Sequence, residues 1–171
     1  MYSSSRDQDS ARDVIAARAL RGVGDVGFLL AMSQHGSART LLSAQPVDER
    51  TDAYRRADDV IAATDAIGAF TLARTDSAYP QKLSELHDAP TVLFGKGAMA
   101  TADGPAVAIV GTRAASSYGL RVARAIAGTC ARAGVCVVSG LAHGIDGAAH
   151  EAALAAGGRT VAVLGTGLDV V

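Results

Sequence analysis

The segment "AVAIVGTRAASSYG", Ala106 to Gly119, places an arginine where an apolar run gives way to small residues and then to a helical pattern. Two later segments, "VSGLAHGID" and "LGTGLD", also end apolar runs in glycines. Glycine lets a backbone come close to a ligand or adopt φ > 0. The first N–H groups and the dipole of a following helix attract anions. A guanidinium adds a planar, permanently charged fork that matches phosphate oxygens, and Ser116 and Ser117 can cap the helix and donate to a phosphate. The chemistry these residues can perform is anion capture around Arg113. The ligand is a phosphate group, free, in a nucleotide or in a nucleic-acid backbone. The plainer alternative is that Arg113 pairs with Asp146 or another carboxylate.

Other polar residues are weaker candidates. Asp146 and His150 lie on one helix face with His143 nearby, a set that would suit metal or acid–base chemistry. No third ligand or activated nucleophile stands at suitable spacing, so Asp146 is expected to hold loops through backbone N–H groups and His150 to be a satisfied helix residue. Lys96, between two glycines, either reaches the same groove or is a solvated turn lysine. Tyr118 either stacks on a base or packs at the base of its helix. No G-x-G-x-x-G with a following acid, and no G-x-x-x-x-G-K-[ST], is present, which disfavours an ordinary NAD enzyme or P-loop NTPase. No metal and no cofactor are expected.

The elements that position these residues are legible from periodicity. Helical spacing over 11–44, broken at Gly22–Asp25 and at His35–Ser37, predicts three short helices with Asp25 and Ser37 as N-caps. Pro46 opens a fourth helix to about Ile67. "AFTLA" and "TVLFGKG" read as strands around a turn, a short helix and a turn. From Pro105 the pattern is strand "AVAIVG", helix Ser116–Ala133, strand "VCVVSG", helix Ala142–Ala156 and strand "TVAVLG". Continuously apolar strands predict a parallel sheet covered on both faces, with Leu120, Ala123, Ile126, Ala127 and Cys130 on the inner face of the first helix. Right-handed crossovers bring all three strand ends to one edge, where open α/β sheets bind ligands.

The 171 residues are 49% hydrophobic and 19% charged, the composition of a core-forming protein. Aromatic content is only 4%, so stacking platforms are scarce. The net charge of −1 argues against indiscriminate binding to nucleic acid. Residues 105–171 nevertheless carry a net +2 against −3 for the preceding part. Cys130 and Cys136 sit in apolar surroundings and read as buried free thiols. The N-terminus is polar, and no apolar run reaches the ~20 residues of a membrane span. A cytoplasmic protein without membrane association is expected.

"YPQKLSELHDAPTVLFGKG", "VAIVGTRAASSYG", "VVSGLAHGIDGAAHEAAL" and "GGRTVAVLGTGLD", in this order, resemble the DNA-processing protein A (DprA, or Smf) family over Tyr79–Asp169. The resemblance implies an α/β protein with a small N-terminal helical, sterile-alpha-motif-like domain over 1–67. Over 68–171 it implies an incomplete Rossmann-like parallel sheet with flanking helices, because complete members continue past the "GTGLD" loop. It implies a non-enzymatic binder of single-stranded DNA that protects incoming strands and loads the RecA recombinase during natural transformation. It places the family's Gly-Ser/Thr-Arg element on Gly111, Thr112 and Arg113, followed by Ser116, Tyr118 and Gly119. A second element falls on Ser139, Gly140, Ala142, Gly144, Ile145 and Asp146. With Ser117, these supply the expected phosphate-binding set Gly111, Thr112, Arg113, Ser116, Ser117, Ser139, Gly140 and Gly144. Lys96 and Tyr118 are candidates for a further DNA contact, and Asp146 is expected as loop support. Complete members form homodimers; weaker DNA binding and doubtful dimerisation are expected of this shorter chain. The alternatives are a phosphoribohydrolase-like nucleotide enzyme or a truncated remnant with impaired binding.

Overall fold

The computed structural model describes residues 9–23, 25–86, 88–98 and 104–170. The chain divides into two compact units, Met1–Met99 and Ala100–Val171.

In the first unit, α1 (Ala11–Arg18), α2 (Asp25–His35), α3 (Ala38–Ser43) and α4 (Val47–Ala66) precede β1 (Ala69–Ala73), α5 (Gln81–Ser84) and β2 (Val92–Lys96). Ser10 opens α1 with a reciprocal capping box to Asp13, and Ser37 caps α3 through the Thr40 amide. Asp25 is the first residue of α2; its side chain lies outside the described residues. Val14, Ala17, Leu20, Phe28, Leu41 and Leu42 form the core, and the small Ala53 and Ala57 let α4 pack closely against it. A polar network fastens α1 and α3. Asp9 accepts the Ala38 and Arg39 amides at 2.7 and 3.0 Å. Asp13 accepts Arg39 at 3.0 Å and the Tyr54 hydroxyl at 2.9 Å.

The strands β1 and β2 pair antiparallel, with Phe70 opposite Gly95. A Cβ on Gly95 would fall 2.3 Å from the Phe70 ring, so the aromatic takes the place of the missing side chain. This pair packs on α1 and α4. The break between compact units therefore lies near residue 100, whereas the sequence reading drew it at 67/68 by where helices give way to strands.

The second unit alternates β3 (Ala106–Ala108), α6 (Ser117–Arg132), β4 (Cys136–Ser139), α7 (Ile145–Ala155) and β5 (Thr160–Ala162). The sheet is parallel, in the order β3-β4-β5. Val137, Ala127, Ala131, Ala149 and Ala153 form its core. α7 begins later than its apolar pattern suggests, because Leu141 (φ 56°) and Gly144 (φ 86°) turn the backbone into the left-handed region.

Two expectations about packing are corrected. With strands in chain order, right-handed crossovers put both helices on the same side, and α6 and α7 pack against each other. The helices of this unit thus cover one face of its sheet; Val110, Val161 and Val163 are 72%, 42% and 64% exposed. The buried stripe of α6 runs through Ala123, Ala127, Gly128 and Ala131. Ile126, assigned to the inner face, is exposed because the contact with α7 rotates that stripe toward Gly128.

Candidate functional site

Parallel pairing brings the C-terminal ends of β3, β4 and β5 to one edge. Asp146, buried near the start of α7, ties two of them. Its Oδ1 accepts the Gly111 amide at 3.2 Å and its Oδ2 the Gly140 amide at 3.1 Å. The Val163 amide donates to the Ser139 carbonyl at 2.8 Å and draws in the third end. A Cβ on Gly140 would sit 2.9 Å from Asp146 Oδ2, so a larger residue there would crowd the carboxylate.

The Arg113 loop interlocks with the start of α7. The Ile145 amide donates to the Thr112 carbonyl at 3.3 Å, and the Ala114 amide to Thr112 Oγ1 at 3.2 Å. A Cβ on Gly144 would lie 2.3 Å from the Thr112 carbonyl oxygen and one on Gly111 2.6 Å from Ile145 Cγ1. Both positions need glycine for close approach, and Gly144 needs it for its positive φ as well.

Arg113 is exposed and, among the described residues, makes no hydrogen bond or ion pair. Both oxygens of Asp146, the acid considered as its partner, are taken by amides. Beside Arg113, Ser116 caps α6 by accepting the Gly119 amide at 3.1 Å. The amides of Ser117 and Tyr118 donate to nothing among the described residues. A free guanidinium next to unsatisfied amides at the positive end of a 16-residue helix is an anion-attracting arrangement.

The structure thus brings Gly111, Thr112, Arg113, Ser116, Ser117, Gly140 and Gly144 to one edge. Ser139 does not offer its hydroxyl there: it is 3% exposed and donates to the Ile109 carbonyl at 2.6 Å. Its oxygen joins β4 to the end of β3 and is withdrawn from any ligand at the edge. Tyr118 is 69% exposed, with the guanidinium of Arg121, one turn along the same helix, 5.9 Å from its ring centre. Lys96 is exposed at the end of β2, in the first unit.

The three residues weighed for acid–base or metal chemistry face different surroundings. Asp146 serves the loop amides, and His143 is exposed. His150 is buried, with Nδ1 2.6 Å from Thr160 Oγ1 and no partner for Nε2 among the described residues, so it is only half satisfied. Burial holds this imidazole below its ordinary value, against the opposing charge of Asp146. Among the described residues no three His, Cys, Asp or Glu side chains are grouped to hold a metal ion, and no helix is long and apolar enough to cross a membrane.

Sequence reasoning did not find the cleft of about 470 Å³ beside this edge, lined by Arg113, Leu120, Arg124, Leu141, His143 and Glu151. Arg124 and Glu151 are 27 positions apart and belong to different helices, so no local spacing signals their pairing.

Comparison with known proteins decides the family. The profile of the DNA recombination-mediator protein A family matches residues 70–171. The chain belongs to this family. Its similarity to the DNA processing protein DprA of Streptococcus pneumoniae is 52% identity over 96 residues, covering 56% of this chain and 33% of that protein. To DprA of Bacillus subtilis it is 39% over 117 residues, covering 68% and 39%. To protein Smf of Escherichia coli it is 45% over 93 residues, covering 54% and 25%. The X-ray structure of S. pneumoniae DprA superposes with a TM-score of 0.74 at 30% identity, over 96% of this chain and 61% of that one. The matched segments therefore span a quarter to two-fifths of the length of these curated relatives. The family match begins within β1, so the family's region takes in the antiparallel pair that packs with the helices of the first unit.

Proposed function

We propose that this chain binds single-stranded DNA through its phosphates at the strand-end edge, without chemical turnover. The bases would then be left outward for a recombinase of the RecA type. The observation that carries the reading is Arg113: exposed, unpaired among the described residues, and set beside the free amides that start α6. The nearest acid in the sequence element, Asp146, is occupied by Gly111 and Gly140 and leaves the positive charge uncompensated. A cleft of this size suits one flexible phosphodiester chain better than a stiff duplex. Contacts to phosphates position a strand without reading its sequence. The curated relatives are named DNA processing proteins, which agrees with this substrate class.

The test is fluorescence anisotropy with single-stranded oligonucleotides of several sequences across a salt series. Affinity should fall with salt by roughly 0.7 log units per phosphate contact per log unit of salt. Arg113→Ala should weaken all sequences alike and reduce that slope by about 0.7. Unchanged affinity in this variant, or steady conversion of a nucleotide by the purified chain, would overturn the reading.

A further inference from the structure

The cleft at the edge opens into a crease between α6 and α7. Arg124, Gly128 and Arg132 occupy successive turns of α6 on one side; Ala152 and Ala155 of α7 and Ala156, which caps it, form the other. Arg124 and Glu151 line both the cleft and the crease, which makes the two one continuous surface. The floor is made of small residues, and a Cβ on Gly128 would be in ordinary van der Waals contact with the Ala152 carbonyl, 3.8 Å away.

The charges along this path are predominantly positive. Arg113 stands at its head, Arg124 in its middle and Arg132 at its far end, all exposed. Arg132 reaches only Thr129 Oγ1, at 3.2 Å, and has no acidic partner among the described residues. Glu151 is the acid on this surface. It meets Arg124 at 3.4 Å with both side chains largely in solvent, a pair that is readily exchanged for another partner. Asp146 is buried and faces the strand ends.

We propose that the α6–α7 crease is a second stretch of the nucleic-acid path, in which Arg124 and Arg132 take the phosphates that follow the one held at Arg113. The inference rests on the proposed function of the strand-end edge and extends it. Arg124 and Arg132 are eight residues apart, about 12 Å along the helix, which a stacked strand covers in about three to four nucleotides at a rise of about 3.4 Å. The occupant is a single strand because the complementarity is a file of arginines over a floor of small residues, with no aromatic side chain and only the exchangeable carboxylate of Glu151 among the lining residues. On entry of a strand, Arg124 leaves Glu151 for a phosphate, and Glu151 acts as a repulsive charge that limits affinity.

The experiment compares oligothymidylates of about three and about twenty nucleotides, lengths below and above a typical single-strand site. Binding is measured on the whole chain, with Arg113→Ala, Arg124→Ala, Arg132→Ala, Arg132→Glu and Glu151→Gln as variants. Arg132→Ala should weaken the long probe on the order of threefold at low salt, lower its salt slope by about 0.7 and leave the short probe unchanged. Arg132→Glu should weaken the long probe further, and Glu151→Gln should strengthen it on the order of twofold. Circular dichroism identifies any variant that fails to fold, and the remaining charge variants then decide the outcome.

Equal effects of Arg132→Ala on both lengths, or none on either, would overturn the crease while leaving the edge intact if Arg113→Ala still weakens binding of both probes. Loss of binding in the Arg124 and Arg132 variants with Arg113→Ala unaffected would instead remove the edge and retain the crease. A change of oligomeric state in Arg132→Glu without a change in affinity would make the crease a protein interface and end the proposal.

Discussion

Asp146 accepts the Gly140 amide at 3.1 Å across the turn that joins β4 to α7. With its other oxygen on Gly111, one carboxylate sets the spacing of two strand ends. Asp146→Asn would turn one amide N–H against a backbone N–H. A hydrogen bond to a charged group contributes about 1.5–3 kcal/mol, and a loss of that order is expected in urea denaturation. Because the Arg113 loop hangs from Gly111, affinity for single-stranded DNA should fall as well.

Gly144 and Gly157 both have positive φ, at 86° and 71°, but only Gly144 is crowded. Gly157→Ala meets open space and should cost about 1 kcal/mol. Gly144→Ala must also push away the Thr112 and Arg113 carbonyls and should cost more, on the order of 3 kcal/mol. Denaturation midpoints of the two variants side by side check the difference.

Ser139→Ala removes the donor to the Ile109 carbonyl and should destabilise the second unit by about 1 kcal/mol. DNA affinity at a concentration where the protein is folded should not change. A loss of binding comparable to that of Arg113→Ala would restore Ser139 to the ligand set.

The polar network of the first unit should be acid-sensitive. Burial pushes the Asp13 carboxyl up, but hydrogen bonds from Ser10, Arg39 and Tyr54 outweigh it and hold it below the ordinary value of 3.8. A depressed carboxylate contributes stability that is complete above the unfolded value and is lost as pH falls through the folded one. Thermal melts of the parent chain should therefore drop below pH about 3.8. Asp13→Asn should start from a lower midpoint and show less of that drop.

The second unit should respond at higher pH. Burial lowers the His150 imidazole from its ordinary 6.5, more than Asp146 raises it. Above that value neither state binds the proton. Below it the unfolded chain takes up a proton that the folded chain refuses, and stability falls until the folded value is reached. Hydrogen exchange of the α7 amides should accelerate as pH is lowered from 7.5 toward 5.5, after correction for intrinsic rates, and His150→Leu should suppress the effect.

Much of this architecture was readable in the residues. Ser37 and Ser116 announced helix starts because a capping hydroxyl is a local device, and the glycines after β3 and β4 marked the edge because close approach leaves few substitutes. What was not readable depended on partners distant in sequence. The apolar runs of β3 and β5 look the same whether one face is covered or two; strand order and crossover hand decide it. Ser139 looked like a ligand group beside Gly140, and only the position of the Ile109 carbonyl shows that its hydroxyl is consumed. Ile126 fits an inner stripe by spacing, and the approach of α7 at Gly128 rotates it out. Arg124 and Glu151 became a shared boundary only once two helices were laid side by side.

The one-sided sheet has a consequence for how the molecule can be altered. Val110, Val161 and Val163 look out from the flat surface opposite the helices, whereas Arg113 stands at the rim where strands end. Polar replacements at the three valines would change how the chain self-associates or adheres to other apolar surfaces without touching the rim. Solubility and ligand capture can consequently be engineered as separate properties of the same small sheet.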